Sequence, residues 1–119
     1  MIKVQSVVPQ IDKSNLLAVM RQVFKQYDFC KRLPRNTERD QYISAIESAV
    51  HQLPDKEREV VTQRYMIDLY RKDYQVYNFI LDPPVSKDTY SKIRNRAFIK
   101  LFIILSDRGI LQSKEGERT

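Results

Sequence analysis

A chain of 119 residues with two glycines, one histidine and one cysteine is the size of one small domain, and it cannot form an internal disulfide. A lone histidine and a lone cysteine also make a histidine metal cluster or a Cys/His catalytic pair implausible, and no glycine-rich phosphate loop can be built from Gly109 and Gly116. The net charge of +6 permits attraction to a polyanion without naming one.

Leu, Ile, Lys, Arg, Glu and Gln are frequent and no strand-like alternation recurs, so the expected fold is all-α. Residues Met1 to Gln10 fit either an extended arm or a lead-in. From Asp12 on, Leu16, Leu17, Met20, Val23, Phe24 and Tyr27 recur at helical spacing. Asp12 or Ser14 is the expected cap, and Pro34 ends the helix near Leu33. A second helix starts at Asn36 or Thr37 with the stripe Tyr42, Ala45, Ile46, Ala49, Val50 and Leu53. Pro54 breaks it, and Asp55 restarts the chain as the cap of a third helix reaching Lys72. That helix buries Val60, Val61, Tyr65, Leu69 and either Met66 or Ile67.

Asp73 is read as the cap of a short helix bearing Val76, Tyr77, Ile80 and Leu81, which Asp82, Pro83 and Pro84 stop. Val85 should plug the turn. Ser86 then caps a long helix whose seam is Tyr90, Ile93, Ala97, Leu101 and Ile104. Tyr65, Tyr74, Tyr77 and Tyr90 read as core rather than as a stacking platform. Gly109 suits a left-handed helix end, and Gln112 to Thr119 reads as a charged, frayed tail.

Short helix, proline-marked turn and long basic helix make a helix-turn-helix, whose second helix enters the DNA major groove. Charge placement agrees. Residues 1–53 carry eight Lys or Arg against five acids (+3), 54–85 five against six (−1), 86–105 five against one (+4), and the remainder three against three. The chain therefore divides into an N-terminal helical region (1–53), a helix-turn-helix domain (54–111) and a tail (112–119).

Three segments carry a resemblance. Leu53-Pro-Asp-Lys-Glu-Arg-Glu-Val-Val-Thr-Gln-Arg-Tyr65, Asp73-Tyr-Gln-Val-Tyr77 and Ser86-Lys-Asp-Thr-Tyr-Ser-Lys-Ile-Arg-Asn-Arg-Ala-Phe-Ile-Lys-Leu101 resemble the ArpU-type phage transcriptional regulators. These look like the DNA-binding region four of bacterial sigma factors, with its LP..ER..V...RY opening and S..T...I..RA..KL recognition helix. The resemblance implies a DNA-binding activator of late genes in a phage or prophage of Gram-positive bacteria. It puts Lys87, Asp88, Thr89, Ser91 and Lys92 at the groove and Asn95 one turn deeper. The turn LDPPVS departs from the glycine-bearing turn of many relatives, which bears on the angle between the two helices.

By their chemistry, Lys92 and Asn95 suit purine edges, while Asp88 faces a cytosine amine or caps its own helix. Arg94, Arg96 and Lys100 suit phosphates, and Arg58 and Arg64 suit either phosphates or ion pairs along their helix. The expected partners are double-stranded promoter or operator DNA, RNA polymerase and a second copy of the chain. The second copy is suggested by Phe98, Ile99 and Leu101 to Leu105, which are apolar around the whole helix and call for cover, part of it expected from the N-terminal helix and the rest from a second subunit. No cofactor, metal or membrane is expected, and a single cysteine without a signal-like N-terminus points to the cytoplasm. Rival functions are a sigma-like factor, a DNA-packaging recognition subunit, and a polymerase-docking adaptor without specific DNA contact.

Overall fold

The computed structural model describes residues 13–111, and the readings placed on Met1 to Gln10, Asp12 and Gln112 to Thr119 lie outside them. The fold is all-α, with five helices and no strand among the described residues. Helix α1 spans Lys13–Arg32 and α2 spans Thr37–His51. Helix α3 spans Asp55–Val61 and runs on as a wider π-helical segment, Thr62–Ile67. The short α4, Asp73–Gln75, likewise widens into Val76–Ile80, and α5 spans Lys87–Asp107. The widening of α4 closes with Leu81 N donating to Val76 O, five residues back, at 2.9 Å.

Where capping was expected, the chemistry differs from site to site. The Asn36 side chain accepts from Arg39 N at 2.8 Å, and Ser86 accepts from Thr89 N at 3.1 Å, so both act as caps. Since α1 already begins at Lys13, Ser14 sits inside the helix. Asp55 is not a cap: α3 starts at Asp55 behind Pro54, and its carboxylate pairs with Arg58 instead. Asp73 is also not a cap. Lys72 N, the donor just before α4, is met by Gln75 Oε1 at 2.7 Å, and Asp73 turns inward.

The third helix stops at Ile67 rather than at Lys72. Asp68 adopts an extended conformation, and its carboxylate accepts from Tyr70 N at 3.0 Å. This local turn satisfies a backbone donor that the helix would otherwise use. Arg71 and Lys72 consequently lie beyond the helix. Ile67 is exposed, Met66 and Leu69 are half-buried, and Tyr74 is exposed rather than core. The second stripe gains Ile43, which is buried, while Tyr42 and Ala45 are half-buried. Tyr42 still anchors α2 to α1, donating to Val23 O at 2.9 Å.

Two cores hold the molecule. The larger collects Leu16, Met20, Val23, Phe24, Tyr27 and Cys30 of α1, Ile43, Ile46, Ala49, Val50 and Leu53 around α2, Val61 and Tyr65 of α3, and Ala97, Phe98, Leu101 and Leu105 of α5. Phe24 stacks on Tyr65 at 5.4 Å between ring centres, and Tyr65 meets Phe98 at the same distance, so one aromatic file crosses α1, α3 and α5. The core thus draws on both sides of the 53/54 boundary. The smaller core holds Val60, Val76, Leu81, Tyr90 and Ile93, with Tyr77, Ile80 and Val85 packed against it. Adjacent Val60 and Val61 point into different cores because successive helical side chains diverge by about 100°.

The seam of α5 is Tyr90, Ile93, Ala97, Phe98, Leu101 and Leu105. Leu105 replaces Ile104 as the buried residue at its end, and Ile104 is only half-buried. Every residue from Phe98 to Leu105 except Lys100 is at least half-buried, with Ile99, Phe102 and Ile104 packed on the larger core. The N-terminal helices therefore cover most of the apolar excess. At the far end Gly109 has φ of 77°, the left-handed conformation expected of a helix terminator.

Candidate nucleic-acid interface

Counted at 100° per residue, Asp88, Ser91, Lys92 and Asn95 fall within about 100° of one another, opposite the Tyr90, Ile93, Ala97 and Leu101 seam. Asp88 and Lys92 are exposed, with Lys87 and Thr89 beside them, while Ser91 and Asn95 are half-buried. Two of these groups have local partners: the Ser86 hydroxyl donates to Thr89 Oγ1 at 3.0 Å, and Asn95 Oδ1 accepts weakly from Arg94 Nη2 at 3.4 Å. The face can still offer donors and acceptors, because each of these side chains keeps hydrogen-bonding capacity. Asp88 in the first turn also suits the positive end of the helix dipole.

The basic residues separate into groups by their partners. Among the described residues, Lys87 and Lys92 lie in no ion pair. Arg96 is largely exposed and stands 3.7 Å from a Glu57 carboxylate oxygen, which leaves it able to swing to a phosphate. Lys100 is more firmly held, with Nζ 3.0 Å from both Glu57 oxygens. Arg94 does not match the expected phosphate contact. Its side chain is only 15% exposed, with Nη1 3.7 Å from Asp73 and the guanidinium 6.0 Å from the Tyr90 ring centre.

Arg94 belongs to a polar hub under the exposed face. Asp73 Oδ1 accepts from Arg64 Nε and from the Tyr90 hydroxyl, each at 2.7 Å. One carboxylate on α4 therefore ties the π segment after α3 to the first turns of α5. Burial acts to raise the Asp73 pKa, but hydrogen bonds from Tyr90 and Arg64 and the charges of Arg64 and Arg94 outweigh it and hold the carboxyl below its usual range. The Tyr90 hydroxyl is driven strongly upward, first by burial and then by its bond to the Asp73 anion. Arg64 also lies 4.7 Å from the Tyr65 ring centre and reaches Leu69 O, and its ion pair runs across to Asp73 on α4 rather than along its own helix as expected. Arg58 likewise donates to His51 O and Leu53 O and pairs with Asp55.

Two residues, Glu57 and Asp73, anchor α5 in a role that the sequence pattern does not assign to either. Glu57 is buried, and a signal for it existed: Glu57, Val60, Val61 and Arg64 follow the i, i+3, i+4, i+7 spacing of an inward stripe. Asp73 gave no such signal, because its partners Arg64, Tyr90 and Arg94 are 9, 17 and 21 positions away along the chain. Among the described residues, no three His, Cys, Asp or Glu side chains gather as a metal site, and no helix is long and apolar enough to cross a membrane. No family model, curated protein or solved structure matches the chain.

Proposed function

We propose that this chain is a sequence-specific regulator that binds double-stranded DNA through the first turns of α5, in the manner of a sigma-region-four helix-turn-helix. On the ArpU-type resemblance, it activates late genes of a phage or prophage in the bacterial cytoplasm, meets RNA polymerase through another surface, and catalyses no reaction. The observation that carries the reading is the outward face of α5 from Lys87 to Asn95. It is polar, it bears Lys87 and Lys92, which lie in no ion pair among the described residues, and it stands on a small core of its own behind the short α4 and a turn. Lys87, Asp88, Thr89, Ser91, Lys92 and Asn95 are the base-facing candidates, and Arg96 is the best-placed phosphate ligand. Arg94 and Lys100 act from beneath, through Asp73 and Glu57.

Equilibrium binding across a salt series tests it. The parent should form a salt-sensitive complex with one site found by footprinting the late region of the phage genome. Arg96→Ala should weaken binding to any sequence and flatten the salt slope by about 1, the share of one phosphate contact, whereas replacing Lys87 and Lys92 with alanine should abolish specific binding, because both are base-facing. The same variant should unfold within about 0.5 kcal/mol of the parent, because both side chains are exposed. A variant that binds the site as tightly as the parent rejects the assignment.

A further inference from the structure

Apart from Phe29 on α1, the large apolar side chains left exposed among the described residues lie at the joint between α3 and α4. Tyr70 and Phe79 are 75% and 76% exposed, and they line one open cleft together with Asp68, Arg71, Gln75 and Ile80. Ile67, at 59%, immediately precedes Asp68, and Tyr74, at 51%, immediately precedes Gln75. Exposed aromatics gathered in this way are the mark of an interaction surface, whereas single exposed apolar residues are not. The end of α5 is a weaker candidate for such a surface, since the N-terminal helices already cover most of it.

We propose that this joint is the interface through which a second copy of the chain binds, about a two-fold axis. The first support is area. An aromatic side chain offers about 150–250 Å². At the observed exposures Tyr70 and Phe79 present on the order of 300 Å² per copy, and Tyr74 and Ile67, each next in the chain to a residue of the cleft, add to this. A standard interface removes roughly 800 Å² from each partner, a little over half of it apolar. The patch therefore supplies most of the apolar share of such an interface.

Charge is the second support. A two-fold interface must be complementary to itself, and this patch carries both signs. Asp68 lines the cleft and Lys72 is exposed four residues on, and neither lies in an ion pair among the described residues. Antiparallel apposition sets Asp68 of each copy against Lys72 of the other, twice. A foreign protein or a nucleic acid would have to match the opposite signs by other means. The surface is distinct from the DNA-facing turns, so the dimer does not depend on the DNA-binding reading. That its two α5 helices would meet a two-fold symmetric operator does rest on that reading.

Sedimentation equilibrium of the full chain without DNA tests the dimer alone. The expected mass rises with concentration from 14.2 kDa to twice that value. The double variant Tyr70→Ser, Phe79→Ser should raise the self-association constant Kd at least tenfold while the far-ultraviolet circular dichroism stays that of the parent. Lys72→Asp should weaken association, because it sets an acid against Asp68 of the other copy, whereas Lys72→Arg, which keeps the charge, should leave it unchanged. A chain that stays monomeric at millimolar concentration overturns the proposal, as does association that ignores the aromatic variant or the Lys72→Asp variant. Retention of DNA binding by a monomeric chain would leave the proposed function standing and this interface refuted.

Discussion

The C-terminal half of α5 sinks Phe98, Leu101 and Leu105 into a core built by four helices, whereas its N-terminal half rests Tyr90 and Ile93 on three further buried side chains. What the N-terminal half lacks in apolar contact is supplied by charge, through the hub in which Asp73 joins Arg64, Tyr90 and Arg94. A surface helix that must present polar residues outward cannot also be wrapped on every side. It can be held rigidly from below, where a few directional bonds fix its angle. The two ends of one helix thus illustrate two means of support, non-directional burial at one end and oriented hydrogen bonds at the other. Substitutions at the two ends should fail in different ways.

The largest effect belongs to the buried end. Phe98 is fully enclosed and touches the aromatic file through Tyr65, so Phe98→Ala removes its transfer energy and leaves a cavity between α1, α3 and α5. A cost of about 3–5 kcal/mol follows. Because one cooperative core is involved, thermal unfolding followed by helical and by tyrosine signals should shift downward together. If the variant melts at the parent's temperature, or only its α5 signal moves, the larger core is not the shared foundation of the fold.

At the other end, Asp73→Asn should act mainly on α5's first turns. Breaking a fully buried ion pair costs about 3–5 kcal/mol. Since more than a third of the Asp73 side chain meets solvent, screening reduces the expected loss to about 1–2 kcal/mol. Amide hydrogen exchange should accelerate from Thr89 to Ile93 more than from Phe98 to Leu105. The pH dependence has a definite sign. Asp73 titrates below its unfolded value, so its contribution is present above the ordinary carboxylate range, near pH 4, and disappears as the pH falls through the lowered value. The parent and the variant should therefore differ most at neutral pH and converge in acid. A constant difference across that range would mean that the carboxylate charge is not what holds the joint.

How far these contrasts could be read from sequence follows from how local their causes are. Helix positions, the caps at Asn36 and Ser86, and the seam through Tyr90, Ile93, Ala97 and Leu101 depend on neighbours three or four residues apart, and they were legible. The early end of α3 was not. Arg71 and Lys72 look like a proper basic last turn, but the Asp68 side chain closes a turn on Tyr70 N before the helix reaches them. Nor could the candidate interface be fully sorted. The positive charge of α5 was plain, yet which cations remain available depends on Glu57 and Asp73, carboxylates that reach α5 only through the tertiary fold. Tyr74 shows the same limit, since helical spacing alone cannot tell the face of α4 that meets α5 from the face left exposed.

The smallest expected effect sharpens the comparison most, because it touches neither core. Ser86→Ala deletes the acceptor for Thr89 N and the hydroxyl that donates to Thr89 Oγ1, leaving the backbone path intact. Removing a cap of this kind costs about 1 kcal/mol. That is less than the Asp73 hub, because the freed amide at this exposed end can turn to water. The loss should nevertheless fall on the turn that carries Lys87, Asp88 and Thr89. Amide exchange there should quicken by about fivefold, the factor that 1 kcal/mol represents, while exchange at Leu101 and Leu105, which report opening of the larger core, should change no more than global stability requires. Fraying that reached Tyr90 and Ile93 as well would mean that the cap and the Asp73 hub act as one unit. Protection of Thr89 equal to the parent's would mean that the hub alone holds the first turn, and that the serine serves some purpose other than capping.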